Sequence, residues 1–149
     1  MEQPLQIRPL KPQDVTNALV RTISDLLAQL SEQPPRMSRK TLLEIVGQRH
    51  TRLYTAYLDG KLVGMLTATI HRLPTRRSMV IEDVVVDMKV RGHGVGRRLM
   101  EAAIEWAKRR RVDTIHLTSH PRREAANAMY RSLGFERRET NVYVYDVGG

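Results

Sequence analysis

The fold is decided by one stretch, Ile81-Glu-Asp-Val-Val-Val-Asp-Met-Lys-Val-Arg-Gly-His-Gly-Val-Gly-Arg-Arg-Leu-Met100. It predicts a β-strand, a glycine-rich turn and an α-helix, with Gly92, Gly94 and Gly96 where the helix begins. The first N–H groups of a helix have no partner inside it, and together with the helix dipole they attract anions. Because glycine lets a bulky group approach the backbone, the turn predicts a site for a phosphate-bearing ligand.

The composition is that of an ordinary globular chain. Its 149 residues, 41% hydrophobic and 28% charged, suffice for a core, and we expect one domain over residues 1–149. No apolar run is long enough to span a membrane, and the first residues lack the pattern of a signal peptide. The absence of cysteines excludes disulfides, thiolate metal sites and a cysteine nucleophile, and it fits a cytoplasmic protein.

The charge is strongly positive and unevenly distributed. The formal net charge is +9, and most of the lysines and arginines lie between Arg72 and Arg138. Such a field favours anionic partners: nucleic acid, an acidic protein or a polyphosphate cofactor. Aromatic residues make up only 5% of the chain, too few for base-stacking platforms, and no nucleic-acid-binding motif is present. A nucleic-acid-binding module therefore stays as an alternative and not as the first hypothesis.

Apolar periodicity and turn residues predict the order of elements. We expect strands at 5–9, 53–58, 61–71, 79–86, 114–118, 135–137 and 141–145, and helices at about 12–30, 38–47, 94–110 and 122–133. Asp59-Gly60 is a strong hairpin signal, so the three central strands should form an antiparallel meander. The second half alternates strand and helix. This order predicts an α/β (α+β) fold with a mixed, mostly antiparallel sheet of six to seven strands and about four helices.

Two familiar phosphate motifs do not match the glycine-rich turn. The P-loop pattern requires a Lys and a Ser or Thr after its last glycine, but Arg97 and Arg98 follow here. The dinucleotide fingerprint is Gly-x-Gly-x-x-Gly, and the spacing here is one residue shorter. The next strand also ends at Thr118 without an acidic residue to hold a ribose. Both nucleotide-binding interpretations therefore lose support.

Four segments, in order, match another pattern. Arg91-x-x-Gly94-x-Gly96 directly follows a valine-rich strand, Glu82-Asp-Val-Val-Val86, and Asn127-Ala-Met-Tyr130 and Leu133-Gly-Phe135 come later. Together they resemble the GNAT superfamily, the Gcn5-related N-acetyltransferases, and the resemblance covers nearly the whole chain. The Glu-Asp-Val strand is similar to that of glucosamine-6-phosphate N-acetyltransferases.

The resemblance implies an acetyl-CoA-dependent N-acetyltransferase whose cofactor lies in a cleft where two parallel strands splay apart. Backbone groups of Val84, Val85 and Val86 would bind the pantetheine arm, with Asn127 as a further contact. The pyrophosphate would be held by the loop residues Arg91, Gly92, His93, Gly94, Val95 and Gly96, with Arg97 continuing the array of N–H groups. The side chains of the three valines also suit a core, which does not exclude the backbone contact.

Transfer to a primary amine by direct attack in a ternary complex requires two proton movements. The amine must lose a proton before it attacks, and the departing thiolate benefits from a proton donor. Tyr130 matches the family tyrosine, which implies a contact to the cofactor and makes it the candidate acid for the CoA sulfur; the alternative is a packed aromatic ring. Strand alternation puts Glu82 on the face of Val84 and Val86, where apolar neighbours would suit a general base. The alternative for Glu82 is a structural carboxylate paired with an arginine.

Several further roles stay open. His120 is a second base candidate, and Asp83 is a weaker one because it points to the other face. His116 and His120 lie on a strand and its exit without a third ligand, so no metal site is expected. The 3′-phosphate of CoA would meet arginines drawn from Arg122, Arg123 and Arg131. A non-catalytic acyl-CoA-binding protein with the same fold is a second alternative.

The acceptor amine is not encoded in any readable motif. We expect the first helix, the Pro34-Pro35 region and the last strands to select it. The basic surface favours an acidic or phosphorylated amine, or an acidic protein tail, over a polycation. The resemblance also allows a homodimer through the C-terminal strands.

Overall fold

The centre of the fold is a β-hairpin closed by Asp59 and Gly60. Both residues have positive φ, 51° and 75°, as a two-residue turn of the primed type requires. In the computed structural model, which describes residues 4–33 and 37–148, this hairpin extends into a sheet with the strand order β1-β2-β3-β4-β5. The strands are β1 (Gln6–Pro9), β2 (Thr51–Leu58), β3 (Lys61–Arg72), β4 (Arg77–Val86) and β5 (Thr114–His116).

The first four strands pair antiparallel, and β5 joins β4 in parallel. The described residues also contain four α-helices: α1 (Asn17–Leu27), α2 (Arg39–Val46), α3 (Val95–Arg109) and α4 (Glu124–Ser132). A parallel pair needs a crossover connection, which α3 supplies between β4 and β5. The predicted mixed α/β fold is therefore confirmed, with five strands within residues 4–33 and 37–148 in place of the six to seven expected.

The chain divides into two compact units, residues 1–118 and 119–149. The first unit contains the whole sheet with α1, α2 and α3, and the second contains α4. The expectation of one domain over residues 1–149 stays a prediction. No helix within the described ranges is long and apolar enough to cross a membrane.

The core of the first unit has a layer on each face of the sheet. One layer joins apolar residues of α1 and α2 to the strands, with Ile23, Leu42, Leu53 and Met65 among its buried members. On the opposite face lies Trp106 of α3, whose ring meets that of Tyr54 edge-on at 6.4 Å. Burial of these large side chains, at about 1.5–3 kcal/mol each, fixes α3 against the sheet.

The predicted helix over 12–30 is two elements. Pro12–Asp14 form a single 3-10 turn, and α1 begins only after Thr16, whose hydroxyl accepts a hydrogen bond from the Leu19 amide at 3.1 Å. A threonine cap in extended conformation starts a new helix and does not continue an old one. The predicted break at 31–36 falls partly outside the described residues, and the Pro34-Pro35 region lies wholly outside them.

The two predicted C-terminal strands are wrong. Residues 135–137 and 141–145 form no strand, and Val142 and Tyr145 are 68% and 88% exposed. This segment has high β-propensity, but a strand also needs a pairing partner, and none is formed here within the described residues. The homodimer that was expected through these strands stays a prediction.

Candidate functional site

One edge of β4 is paired with another strand over only part of its length. Its pairing with β5 runs from Ser78 to Val80 and ends there, where Val80 lies opposite His116. From residue 81 to residue 86 this edge has no strand partner among the described residues. Its N–H and C=O groups are then available to another extended molecule. The predicted pantetheine contacts Val84, Val85 and Val86 lie on this stretch.

A β-bulge interrupts β4 at Asp83. Thr67 pairs with Glu82 and Met65 with Val85, so Leu66 alone lies opposite two residues of β4. Asp83 has a φ of 51°, a left-handed conformation that Asp tolerates better than most residues. The backbone is therefore strained beside the free edge, as is common at binding sites.

The bulge corrects the expected position of Glu82. Strand alternation fails across a bulge because one extra residue reverses the faces. Glu82 pairs with Thr67 on the α1 side of the sheet, whereas Val86 pairs with Gly64 on the α3 side. Glu82 is also exposed, so it is not surrounded by apolar side chains. The signal for this bulge was a Glu-Asp pair inside an otherwise apolar strand.

The start of α3 differs from the starts of the two preceding helices. Thr16 and Ser38 cap α1 and α2 with their hydroxyl groups, in extended conformation. Gly94 begins α3 in the left-handed conformation with φ 73° and no side-chain cap. The first helical bond runs from the Arg98 amide to the Gly94 carbonyl at 3.1 Å. The amides of Val95 and Gly96 come before this bond, where a helix leaves its donors for an external acceptor.

Space around the loop is open. A Cβ atom added to Gly92 or Gly94 would meet nothing within 4 Å, and both glycines have positive φ, 89° and 73°. Conformation therefore favours glycine at both positions, and no packed neighbour fills the space above the backbone. No acidic residue lies in the first turn of α3. These features match what a pyrophosphate requires.

The side chains of the loop have local partners. The His93 imidazole Nδ1 lies 3.0 Å from the Val90 carbonyl, so the exposed ring is tied back to the loop. Arg91 is exposed, and Arg97 forms an ion pair with Glu101 at 3.1 Å, with both side chains nearly half exposed. An exposed pair of this kind contributes little to stability. Local partners are therefore shown for His93 and Arg97, while the exposed Arg91 side chain faces solvent.

Close packing holds the first turn of α3 in place. A Cβ on Gly64 of β3 would come within 3.1 Å of the Val85 carbonyl oxygen and of Val95 Cγ1, and within 3.2 Å of Leu99 Cδ1. A larger residue at this position would require these neighbours to shift by a few tenths of an ångström, so glycine favours the close approach of α3. Sequence reasoning missed this role, and a lone glycine inside an apolar strand was the available signal.

In the second unit, Tyr130 is a buried residue of α4. Its ring lies 6.1 Å from that of Phe135, tilted by 58°. Burial raises the pKa of the Tyr130 phenol above its ordinary value of 10.0, and the positive charge of Arg123 opposes this in part. The phenol therefore stays protonated at neutral pH, as a proton donor must.

Asn127 and His120 both form hydrogen bonds to neighbours inside this second unit. The Asn127 side-chain amide donates to the His120 carbonyl at 3.1 Å, which uses one of its two donor hydrogens. The His120 Nδ1 accepts from the backbone and side-chain N–H groups of Arg122, at 3.0 and 3.3 Å. Both residues therefore also shape the turn that precedes α4. Within the described ranges, no three His, Asp or Glu side chains are grouped to hold a metal ion.

The sequence model of the acetyltransferase (GNAT) family matches residues 19–135. The match spans β4, the glycine loop and α3, where the free strand edge and the uncapped helix start lie. This chain belongs to the GNAT acetyltransferase family. It is accordingly an acyltransferase.

Individual relatives agree with the family. The chain is 30% identical over 146 residues to the glucosamine 6-phosphate N-acetyltransferase of Trypanosoma brucei brucei, covering 93% of each protein. It is 30% identical over 141 residues to the N-alpha-acetyltransferase RimI of Mycobacterium tuberculosis, covering 91% of this chain and 84% of that protein. A match to an uncharacterised N-acetyltransferase of Methanocaldococcus jannaschii, 32% identical, spans only 39% of that protein.

A solved structure has the same fold. The crystal structure of a Trypanosoma brucei acetyltransferase superposes with a TM-score of 0.77 at 27% identity and covers 95% of this chain and 99% of that one. The resemblance to N-acetyltransferases expected from the sequence is confirmed.

Proposed function

We propose that this acyltransferase is an acetyl-CoA-dependent N-acetyltransferase that moves the acetyl group to a primary amine by direct attack in a ternary complex. One observation carries the proposal: the uncapped, glycine-lined start of α3 follows a strand whose edge is free of strand partners from residue 81 to residue 86 within the described ranges. An anion site and an open strand edge in one continuous segment suit a cofactor with a pyrophosphate and an amide-containing arm.

The residues of this segment fit the two parts of the cofactor. We assign the pyrophosphate to the backbone of residues 91–97, because the amides of Val95 and Gly96 precede the first helical bond and the space above the glycines is open. We assign the pantetheine arm to the backbone of Val84, Val85 and Val86, in the manner of an added strand. Asn127 is proposed as a further contact of this arm through its side-chain carbonyl oxygen.

The cofactor supplies a thioester, and the chain must move protons around it. We propose Tyr130 as the acid that protonates the departing thiolate, because it matches the family tyrosine and its buried phenol carries a proton at neutral pH. The alkylamine must lose a proton, since its ordinary pKa is near 10.4. Glu82 remains the first proposal for the base, acting directly or through water, and His120 the second. The exposure of Glu82 favours the water-mediated form.

The acceptor is proposed from charge. A net charge of +9 raises the capture rate of an anionic acceptor and disfavours a polycation. The two relatives described above act on glucosamine 6-phosphate and on α-amino groups, as their names state. We therefore propose an amine that also carries phosphate or carboxylate. The cytoplasmic location stays a prediction that rests on the absence of cysteines.

A thiol-release assay tests this function. The chain contains no cysteine, so a thiol reagent reports only the CoA that is set free. We expect release from acetyl-CoA that depends on an added amine, tested on a panel of amino sugars, amino sugar phosphates and peptides with acidic or basic sequences. Tyr130→Phe should lower kcat by about 10²–10⁴ and leave acetyl-CoA affinity unchanged.

The pH profile sharpens the assignment of Tyr130. Because the pKa of the phenol is raised above 10.0, the midpoint of its ionisation lies above that pH. The fall in kcat caused by its ionisation should therefore lie above pH 10.0, and Tyr130→Phe should remove it.

Acetyl-CoA binding without transfer to any amine would support the non-catalytic alternative. No binding, together with salt-dependent affinity for RNA or DNA, would support the nucleic-acid alternative.

A further inference from the structure

A short connection, from residue 87 to residue 90, leads from β4 into the glycine loop. Its last three residues form a 3-10 turn, Met88–Val90. Every backbone amide of the connection has an acceptor: Asp87 donates to the Val63 carbonyl (2.8 Å), Met88 to Gln29 Oε1 (3.0 Å), Lys89 to Asp87 Oδ1 (3.0 Å) and Val90 to the Asp87 carbonyl (3.0 Å). The path of the chain into the loop is therefore fixed by hydrogen bonds.

One of the four acceptors, Gln29 Oε1, lies in a different layer of the fold. The other acceptors belong to β3 or to the connection itself, but the acceptor for Met88 is a side chain that follows α1. Met88 is the first residue of the 3-10 turn, where an amide has no acceptor within the turn. Gln29 supplies the missing acceptor, 59 residues away in sequence.

Gln29 is itself held firmly. Its backbone amide donates to the Leu26 carbonyl at 3.0 Å in the turn that ends α1, and Leu26 is 3% exposed. The Gln29 side chain is exposed, and it reaches across the surface to Met88. The backbone of Gln29 is therefore held next to the buried core under α1, while its side-chain bond to the Met88 amide lies at the surface.

A hydrogen bond adds to the packing that joins α1 to the connection: Leu26 and Leu62 lie in one buried cluster, and the Gln29–Met88 bond lies at its surface. A groove of about 270 Å³ lies between α1 and the connection, and Gln29, Leu26, Leu62 and Asp87 are among the residues that line it. Because atoms that face open space give no dispersion contacts, the Gln29–Met88 bond is a specific link across this groove.

The Gln29–Met88 bond lies directly before the glycine loop in the chain. Val90 ends the 3-10 turn, and its carbonyl lies 3.0 Å from the Nδ1 of His93, the residue between Gly92 and Gly94. We propose that Gln29 is a positioning residue, which holds the connection through Met88 and thereby sets the loop for the pyrophosphate of the cofactor. This inference rests on the proposed function, and Gln29 acts through its bond to the Met88 amide, not as a catalytic residue.

Two substitutions of Gln29 distinguish the effect of losing the hydrogen bond from the effect of changing the shape of the side chain. Gln29→Met keeps the length but removes the acceptor, and Gln29→Glu keeps an acceptor oxygen. One net hydrogen bond corresponds to about three- to tenfold in a binding constant. We expect Gln29→Met to raise the Kd and KM for acetyl-CoA by that factor with kcat unchanged, and Gln29→Glu to restore values within about twofold.

Gln48→Met is the matched control. Gln48 Oε1 accepts a hydrogen bond from the Thr51 hydroxyl at 3.1 Å, between α2 and β2. This variant loses a comparable side-chain bond and should leave acetyl-CoA affinity unchanged. Hydrogen exchange of the Met88 amide gives a second readout, which should be faster in Gln29→Met and unaffected in Gln48→Met.

The outcomes distinguish the two proposals. If the wild type binds acetyl-CoA and Gln29→Met binds it equally well, the positioning role is wrong while the proposed function stands. The positioning role is also wrong if Gln29→Glu is as weak as Gln29→Met, or if Gln48→Met weakens binding as much. If the wild type does not bind acetyl-CoA, both proposals fail.

Discussion

The two ends of α3 have the same unusual backbone conformation but different residues. Gly94 precedes the helix with φ 73°, and Arg111 follows it with φ 56°. A left-handed conformation costs roughly 1–2 kcal/mol for a residue other than glycine. At the end of the helix the chain accepts this cost with an arginine, whereas at the start it has a glycine.

At the C-terminal end, the chain satisfies its own polar groups. The Val112 amide donates to the Ala107 carbonyl at 2.9 Å and the Arg111 amide to the Lys108 carbonyl at 3.1 Å, the two bonds of a Schellman motif. The Arg77 guanidinium donates to the Arg110 carbonyl at 2.7 Å. The basic run that ends α3 also complements the helix dipole. Nothing at this end requires a ligand.

At the N-terminal end, the amides of Val95 and Gly96 precede the first helical bond, which the Arg98 amide forms. Gly94 offers no side-chain cap, and no acidic residue lies in the first turn. Two arginines, Arg97 and Arg98, stand there instead, although positive charge is unfavourable at the positive end of a helix dipole. The two ends of α3 thus share a backbone conformation but differ in their polar groups: the carbonyls at the C-terminal end accept hydrogen bonds from the chain itself, whereas the amides of Val95 and Gly96 precede the first helical bond.

The largest expected effect comes from blocking the open end. Gly94→Glu places a carboxylate and a strained residue where we propose the pyrophosphate binds. We expect acetyl-CoA affinity to fall by at least about 100-fold, or roughly 2.7 kcal/mol, in a calorimetric titration. Gly60→Glu is the matched control, because Gly60 also has positive φ (75°) and open space around its Cβ position but lies in the hairpin turn.

Both variants introduce the same strain and charge, so their comparison isolates position. Gly60→Glu should lose stability to a similar degree and bind acetyl-CoA like the wild type. Equal affinity of Gly94→Glu and the wild type would show that the loop does not bind the pyrophosphate. Equal loss in the two variants would assign the effect to stability.

A smaller effect is expected at the closed end. Arg111→Gly relieves the left-handed arginine, and we expect a gain of about 0.5–1 kcal/mol in the free energy of unfolding. Thermal denaturation measures it, and acetyl-CoA affinity should stay the same because the proposed cofactor contacts all lie away from this end. Lower stability, or weaker acetyl-CoA binding in a stably folded variant, would break the contrast between the two ends.

The open end could be predicted from sequence because its signal is local. Three alternating glycines after a valine-rich strand predict an uncapped helix start, and the structure has it at Gly94. The hairpin at Asp59-Gly60 was predictable for the same reason: the turn type is encoded in two adjacent residues.

What could not be predicted depends on partners distant in sequence. The bulge at Asp83 arises from register against β3, and it moved Glu82 to the other face. Residues 141–145 have the composition of a strand but no partner to pair with among the described residues. The bond between Gln29 and Met88 joins two layers through a surface side chain that no local pattern marks. Tertiary pairing decides each of these features.

Amide chemical shifts test the central claim most directly. Unlabelled CoA, added to ¹⁵N-labelled protein, should move the amide signals of Val95 and Gly96 most, followed by those of residues 84–86. Signals of residues 110–112, at the closed end of the same helix, should stay in place. If the two ends shift equally, or if the signals of Val95 and Gly96 do not move while others do, the start of α3 is not the phosphate site and the central claim is contradicted.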